Sequence, residues 1–291
     1  MHRRLFLAAS CLAPLAARAA SPYPAVASFS TLADMVREIG RDRVSVTSVV
    51  PVNGDAHDYQ PRPADARAMT GARFLVVNGL GLDPWMDRLA RAAAFKGVKT
   101  VASASVTPRK LPGSAAIDPH AWQDPRNGVL YAGAIGKGLG LADPANADWY
   151  RESAARYAAE IEKTDAWIAE RFAAIPPASR RIITTHDAFG YYGARYGIEF
   201  LAAQGLSTDA EPSARAIAAL VAQIKREKIR AVFLENMTDP RLAQMLAREA
   251  GAVLGGTVYS DALSAADGPA GSYLKMLRYN TGLFVAAMVA G

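Results

Sequence analysis

Short apolar, β-branched runs alternate along this chain with stretches of helical periodicity. Residues 44–51 (VSVTSVVP), 74–77 and 98–102 read as strands, as do 181–185 (RIITT), 198–201, 231–234 and 253–259 in the second half. Several end at turn formers such as Asn53-Gly54-Asp55 and Asn78-Gly79, and helical stretches at 31–39, 214–225 and 241–250 lie between them. Strands separated by helices imply parallel βαβ units, so the pattern predicts an α/β protein with mainly parallel sheets flanked by helices.

The middle of the chain follows another rhythm. From Tyr150, apolar or larger residues recur at Ala154, Tyr157, Ile161, Ile168, Phe172 and Ile175, spaced by threes, fours and one seven. This predicts a helix over 144–175, with Asp143 as its cap, Pro144 in its first turn and Pro176-Pro177 as its stop. At 1.5 Å per residue it would be roughly 48 Å long, beyond an ordinary globular helix and without the heptads of a coiled coil. It reads as a spine between an N-terminal lobe (20–143) and a C-terminal lobe (176–291). Two shorter helices bending near Lys163-Thr164 are the alternative reading.

Composition narrows the class. With 51% hydrophobic and 21% charged residues over 291 positions the chain is too apolar to be disordered. A single Cys rules out a disulfide scaffold, and no apolar run reaches the ~18 residues of a membrane span. The start, Met1-His2-Arg3-Arg4, then the apolar run 5–17 and Ala17-Arg18-Ala19, has the parts of a cleavable export signal over 1–19. Arg3-Arg4 before Leu5-Phe6-Leu7 resembles a twin-arginine signal. Cys11 does not make a convincing lipobox, because Ala8 stands where Leu is preferred. Cleavage after Ala19 removes three Arg, lowering the net charge from +6 to +3, so the basic balance is not a nucleic-acid footprint. The mature chain keeps no Cys and three histidines: His57, His120 and His186.

Each of these histidines falls where open parallel sheets place ligands, outside the carboxyl ends of strands. His57 follows the 44–51 strand, His186 follows 181–185, and His120 lies in the loop Asp118-Pro119-His120-Ala121-Trp122, before a helical stretch at 128–138. Asp261 follows the last strand. Two precede the spine and two follow it, so they can converge between the lobes. Singly, a loop His or Asp is more often a hydrogen-bonded or turn residue. Asp55, Asp58, Asp118, Asp187, Glu211 and Glu235 are candidates for turn residues or for carboxylates that hold an imidazole N–H. Asn236 and Trp122 read as packing or loop-fixing residues. An H-E-x-x-H helix and a Gly-x-Ser-x-Gly elbow are both missing, and Asn78-Gly79-Leu80-Gly81 lacks the third glycine of a dinucleotide loop. A zinc-dependent hydrolase is the competing enzyme reading; a receptor for chelated iron or cobalamin would leave the histidines unexplained.

The segments GDAHDYQP (54–61), DPHAW (118–122), THDAFGYY (185–192), EPS (211–213) and YSDAL (259–263), in this order, resemble the ligand motifs of the zinc/manganese-binding receptors of bacterial ABC importers. That resemblance implies two α/β lobes bridged by one long helix, with one ion held between them by His57, His120, His186 and Asp261. It implies a periplasmic, non-enzymatic receptor, expected to be a monomer. Its partner would be an inner-membrane ABC permease, with a periplasmic metallochaperone as a further candidate and no nucleic acid. Three imidazoles and one carboxylate suit four-coordinate Zn²⁺, carried as transported ligand; Mn²⁺ is the alternative. His186, where manganese receptors often carry Glu, favours zinc. The short, histidine-free segment 106–118, where many zinc receptors carry a long His-rich loop, does not.

Overall fold

The computed structural model describes residues 21–111, 115–206, 208 and 211–289; the expected export signal lies outside them. The N-terminal lobe runs β1 (Tyr23–Phe29), α1 (Ser30–Gly40), β2 (Val44–Val50), α2 (Pro63–Met69), β3 (Phe74–Val77), α3 (Trp85–Ala92), β4 (Val98–Val101) and α4 (Pro125–Ala142). After the long helix α5 (Ala147–Ala173) come β5 (Arg181–Thr184), α6 (Gly190–Tyr196), β6 (Glu199–Ala202), α7 (Ala214–Glu227), β7 (Ala231–Glu235), α8 (Pro240–Ala250), β8 (Val253–Val258) and α9 (Tyr273–Val289). Both sheets are four-stranded and wholly parallel, ordered β2-β1-β3-β4 and β6-β5-β7-β8. In each, the chain steps outward once and then crosses back, leaving a switch point beside β1 and beside β5. Ligands bind at such points, outside the strand carboxyl ends.

The strands with the plainest apolar runs are buried on both faces: Phe74–Val77 is buried at every position, and Ile182, Ile183 and Thr184 likewise in β5. Strand β1 is not among the strands that the sequence pattern predicts. Pro24 is the second residue of β1 and is exposed, and its carbonyl accepts the Arg73 N–H. A proline near the start of a strand costs little there, and the apolar residues that follow make β1 an inner strand.

Helix α5 runs unbroken through Lys163-Thr164, so the two-helix alternative fails. Thr164, 1% exposed, fills the gap of seven between Ile161 and Ile168, and its hydroxyl accepts from Arg278. The helix starts later than expected, because residues Pro144–Asn146 form a 3-10 turn. There Asp143 accepts from the Asn146 amide and the Tyr150 hydroxyl rather than capping the backbone. At 27 residues α5 is about 40 Å long. It packs closely on α4, where a Cβ on Gly136 would stand 2.5 Å from the Ala154 Cβ. The His120 loop leads into α4, which starts at Pro125 under an Asp124 cap, three residues before the expected 128.

One apolar core continues from the first sheet through α5 and α9 into the second lobe, and a smaller one under α7 and α8 stiffens that lobe's outer side. Polar contacts cross at the same seam: the Leu263 N–H donates to Ser30 Oγ, and the Tyr273 N–H, at the start of α9, donates to Asp34 Oδ2. A shared core of this kind resists wide separation of the lobes.

Asp34 strains this seam at neutral pH. Burial pushes its carboxyl up from 3.8 to about 6, against the smaller lowering by the Tyr273 N–H. A raised carboxyl opposes folding above its folded value, and the penalty fades as pH falls through about 6 toward the unfolded value. Asp34→Asn keeps an acceptor for Tyr273 and should stabilise the protein at pH 7.5 by up to about 3 kcal/mol. Thermal melts of both proteins should converge near pH 4; a gap that does not narrow with acid contradicts this origin.

Candidate metal centre

Four side chains meet where the two sheets' carboxyl ends face each other. His57 lies in the loop after β2, His120 in the loop between β4 and α4, His186 two residues after β5, and Asp261 three residues after β8. Each offers one donor atom, and these atoms all lie within 4.8 Å of one another. His57 Nε2 is 3.1 Å from His120 Nε2 and 3.1 Å from Asp261 Oδ2. His186 Nε2 is 3.2 Å from Asp261 Oδ2, and His120 Nε2 is 3.5 Å from Asp261 Oδ1. Donors 2.0–2.1 Å from a tetrahedral ion stand about 3.3–3.4 Å apart, close to these four separations of 3.1–3.5 Å. His120, His186 and Asp261 are fully buried, and the His57 side chain is 6% exposed, which makes it the side open to solvent. Both Asp261 oxygens and His186 Nε2 lack a hydrogen bond of sound geometry despite these short separations. Such orphaned buried atoms, aimed at a common point, suit a cation.

The far ring nitrogens are held as well. Asp118 Oδ1 lies 2.8 Å from His120 Nδ1 and also accepts the His120 N–H, while Glu235 Oε2 lies 2.7 Å from His186 Nδ1. Glu235 is itself fixed through Oε1 by the N–H groups of Thr185 and His186 and by the Thr185 hydroxyl. These contacts leave each Nε2 free to face the centre. For His186, burial works against charge, but Glu235 and Asp261 outweigh it and hold the ring well above the ordinary imidazole range. Asp261 is held well below the carboxylate range: burial would raise it, and His120 and His186 overcome that.

The other sequence candidates divide. Asp55 fixes the His57 loop: Oδ1 accepts the His57 N–H at 2.8 Å and Oδ2 the Thr208 hydroxyl at 2.6 Å, from the other lobe. Asp58 and Glu211 are exposed and hold no imidazole among the described contacts. Asp187 does not hold a ring either; burial, then the nearby Asp118, pushes its carboxyl up. Trp122 fixes its loop by donating from Nε1 to the Ser260 carbonyl, and Asn236 donates across to Asn53 Oδ1. The sequence reading missed Asn78, treated as a plain turn residue. It is buried, and its Nδ2 donates to the Pro119 carbonyl beside His120 while Tyr131 donates to its Oδ1.

Comparison with known proteins agrees with this architecture. The family described as "Zinc-uptake complex component A periplasmic" matches residues 25–287. The chain belongs to this family. The manganese-binding lipoprotein MntA of Halalkalibacterium halodurans is 31% identical to this family member, over 90% of this chain and 87% of its own. The iron-binding protein YfeA of Yersinia pestis is also 31% identical, over 89% and 84% respectively. Among solved structures, the periplasmic zinc-binding protein TroA of Treponema pallidum superposes with a TM-score of 0.87 at 26% identity, covering 92% of this chain and 99% of that one. The two-lobed fold with its bridging helix is thus shared, while the ions named for these relatives differ. Among the described residues no helix is long and apolar enough to cross a membrane.

Proposed function

We propose that this family member is a periplasmic metal receptor. It binds one divalent ion between its lobes through His57, His120, His186 and Asp261 and delivers it to an ABC permease in the inner membrane. The observation that carries this reading is the cluster of four donors within 4.8 Å of one another, in which neither buried Asp261 oxygen has a hydrogen-bond partner. A carrier rather than an enzyme fits four protein donors, because catalytic zinc sites keep a vertex open for water. Export by the N-terminal signal is part of the same proposal, and the family description supports the compartment.

Zinc is the proposed cargo. Three neutral nitrogens and one oxygen suit it, whereas Mn²⁺ favours more oxygens and a higher coordination number. The manganese-binding relative MntA, at 31% identity, favours the second reading, a manganese receptor. Metal-stripped protein exposed to equimolar Zn²⁺ and Mn²⁺ should retain about one zinc per chain by elemental analysis, and alanine at any of the four donors should reduce that retention. Preferential manganese retention would reverse the assignment of cargo; retention unaffected by all four substitutions would remove the site.

A further inference from the structure

We infer that Arg109, Gly190 and Tyr191 form a clasp between the lobes that holds His120 in place and sets how fast the ion is released. This rests on the reading of His120 as a metal ligand. Arg109 lies in the N-terminal lobe next to an isolated antiparallel bridge between Lys110 and Ile117, and its carbonyl accepts the Asp118 N–H. Its Nη1 is 3.3 Å from Asp118 Oδ2, and Asp118 Oδ1 holds the His120 ring. Asp118 is fully buried, so the guanidinium, with 30% of its side chain exposed, links that carboxylate to the surface.

The other half of the clasp belongs to the second lobe. The Arg109 N–H donates to the Tyr191 hydroxyl at 2.8 Å, 82 residues away in sequence. Beside it, Gly190 lies against the ion pair: a Cβ there would stand 2.0 Å from Arg109 Nη1 and 2.6 Å from Asp118 Oδ2. Gly190 and Tyr191 begin α6, four and five residues after His186. A shift of the His186 loop therefore presses directly on the carboxylate that orients His120, and the two ligands from opposite lobes are mechanically joined. The two ring-holding carboxylates differ in this respect: the contacts described for Glu235 besides its histidine come from uncharged donors, and Asp118 has an arginine.

The test is the rate of zinc loss to an excess of chelator, followed by stopped flow on full-length mature protein. Arg109→Gln removes the guanidinium, and Gly190→Ala displaces it from the opposite lobe. Each should accelerate release about tenfold, the scale seen when groups supporting a metal ligand are lost. The double variant should be no faster than either alone, since both break one contact. Arg109→Lys, which keeps a cation beside Asp118, should restore most of the wild-type rate, while metal-free melting temperatures stay together. Unchanged release in both single variants, additive effects, or acceleration that Lys does not rescue and that tracks a lowered metal-free melting temperature would overturn the clasp. His120→Ala separates the two levels. Lost binding there with silent Arg109→Gln refutes the clasp alone, whereas unaltered binding in His120→Ala refutes the ligand assignment beneath it.

Discussion

Asp261→Asn should lower zinc affinity by roughly 10²–10³-fold while leaving the circular dichroism spectrum unchanged. The side chain keeps its volume and loses only its charge. That charge is the one anionic donor of the four, lying within 3.5 Å of all three imidazole Nε2 atoms and fully buried. Removing one partner from a buried charge pair costs about 3–5 kcal/mol, because the remaining charge then sits uncompensated, and each 1.4 kcal/mol is tenfold in affinity. His57→Ala should cost less, since His57 is the most exposed of the four and solvent can take its vertex. Competition titrations against a chelator of known affinity measure both losses. An Asp261→Asn protein that binds zinc within a few-fold of wild type would show that the ion, if held at all, is held elsewhere.

The site was readable from the sequence largely because a parallel sheet presents its functional residues at one end of each strand. His186 follows a strand buried at Ile182, Ile183 and Thr184, while His57 follows the alternating VSVTSVV of β2 and Asp261 the part-exposed β8, so in each case a β-branched run ending in a loop marks the candidate residue. The carboxylates behind the rings were harder. Asp58, Asp118, Asp187, Glu211 and Glu235 look alike as sequence, and only the backbone path decides which reaches an Nδ1. Asp118, two residues before His120, folds back on it in a tight loop, and Glu235, the last residue of β7, arrives from a strand 49 positions away. Helix α9 escaped notice for a different reason. Leu274, Leu283 and Val285 are partly buried while Met276, Leu277 and Phe284 are fully buried, and with Ala286 and Val289 apolar on the exposed side the sequence shows no single narrow stripe. The long helix was legible from its buried ladder, and its start was misplaced because Asp143 bonds side chains instead of the helix end.

Acid should empty the site. Without metal, Glu235 and Asp261 overcome burial to hold His186 well above the ordinary imidazole range, which favours a protonated ring as pH falls, and the ion must displace that proton. One displaced proton lowers apparent affinity by up to about tenfold per pH unit, hence by up to about 100-fold from pH 7.5 to 5.5, and a steeper slope would count further protons. The signs for the metal-free fold run otherwise. The raised His186 contributes stability that is complete below the unfolded imidazole value and is lost as pH rises through the folded one. The depressed Asp261 and Glu235 contribute stability present above their unfolded values and lost only as pH falls through the folded ones. These groups therefore do not by themselves melt the empty protein at pH 5.5, and the loss there belongs to the metal. Because native-state binding adds RT ln(1 + [L]/Kd), a 100-fold weaker complex forfeits about 2.7 kcal/mol of zinc-induced stabilisation. Melts with and without saturating zinc at the two pH values should show that increment shrink, and calorimetry in buffers of different ionisation enthalpy should count the proton released at pH 7.5. A zinc-induced shift that is the same at both, with no proton released, would mean that imidazoles do not bind the ion.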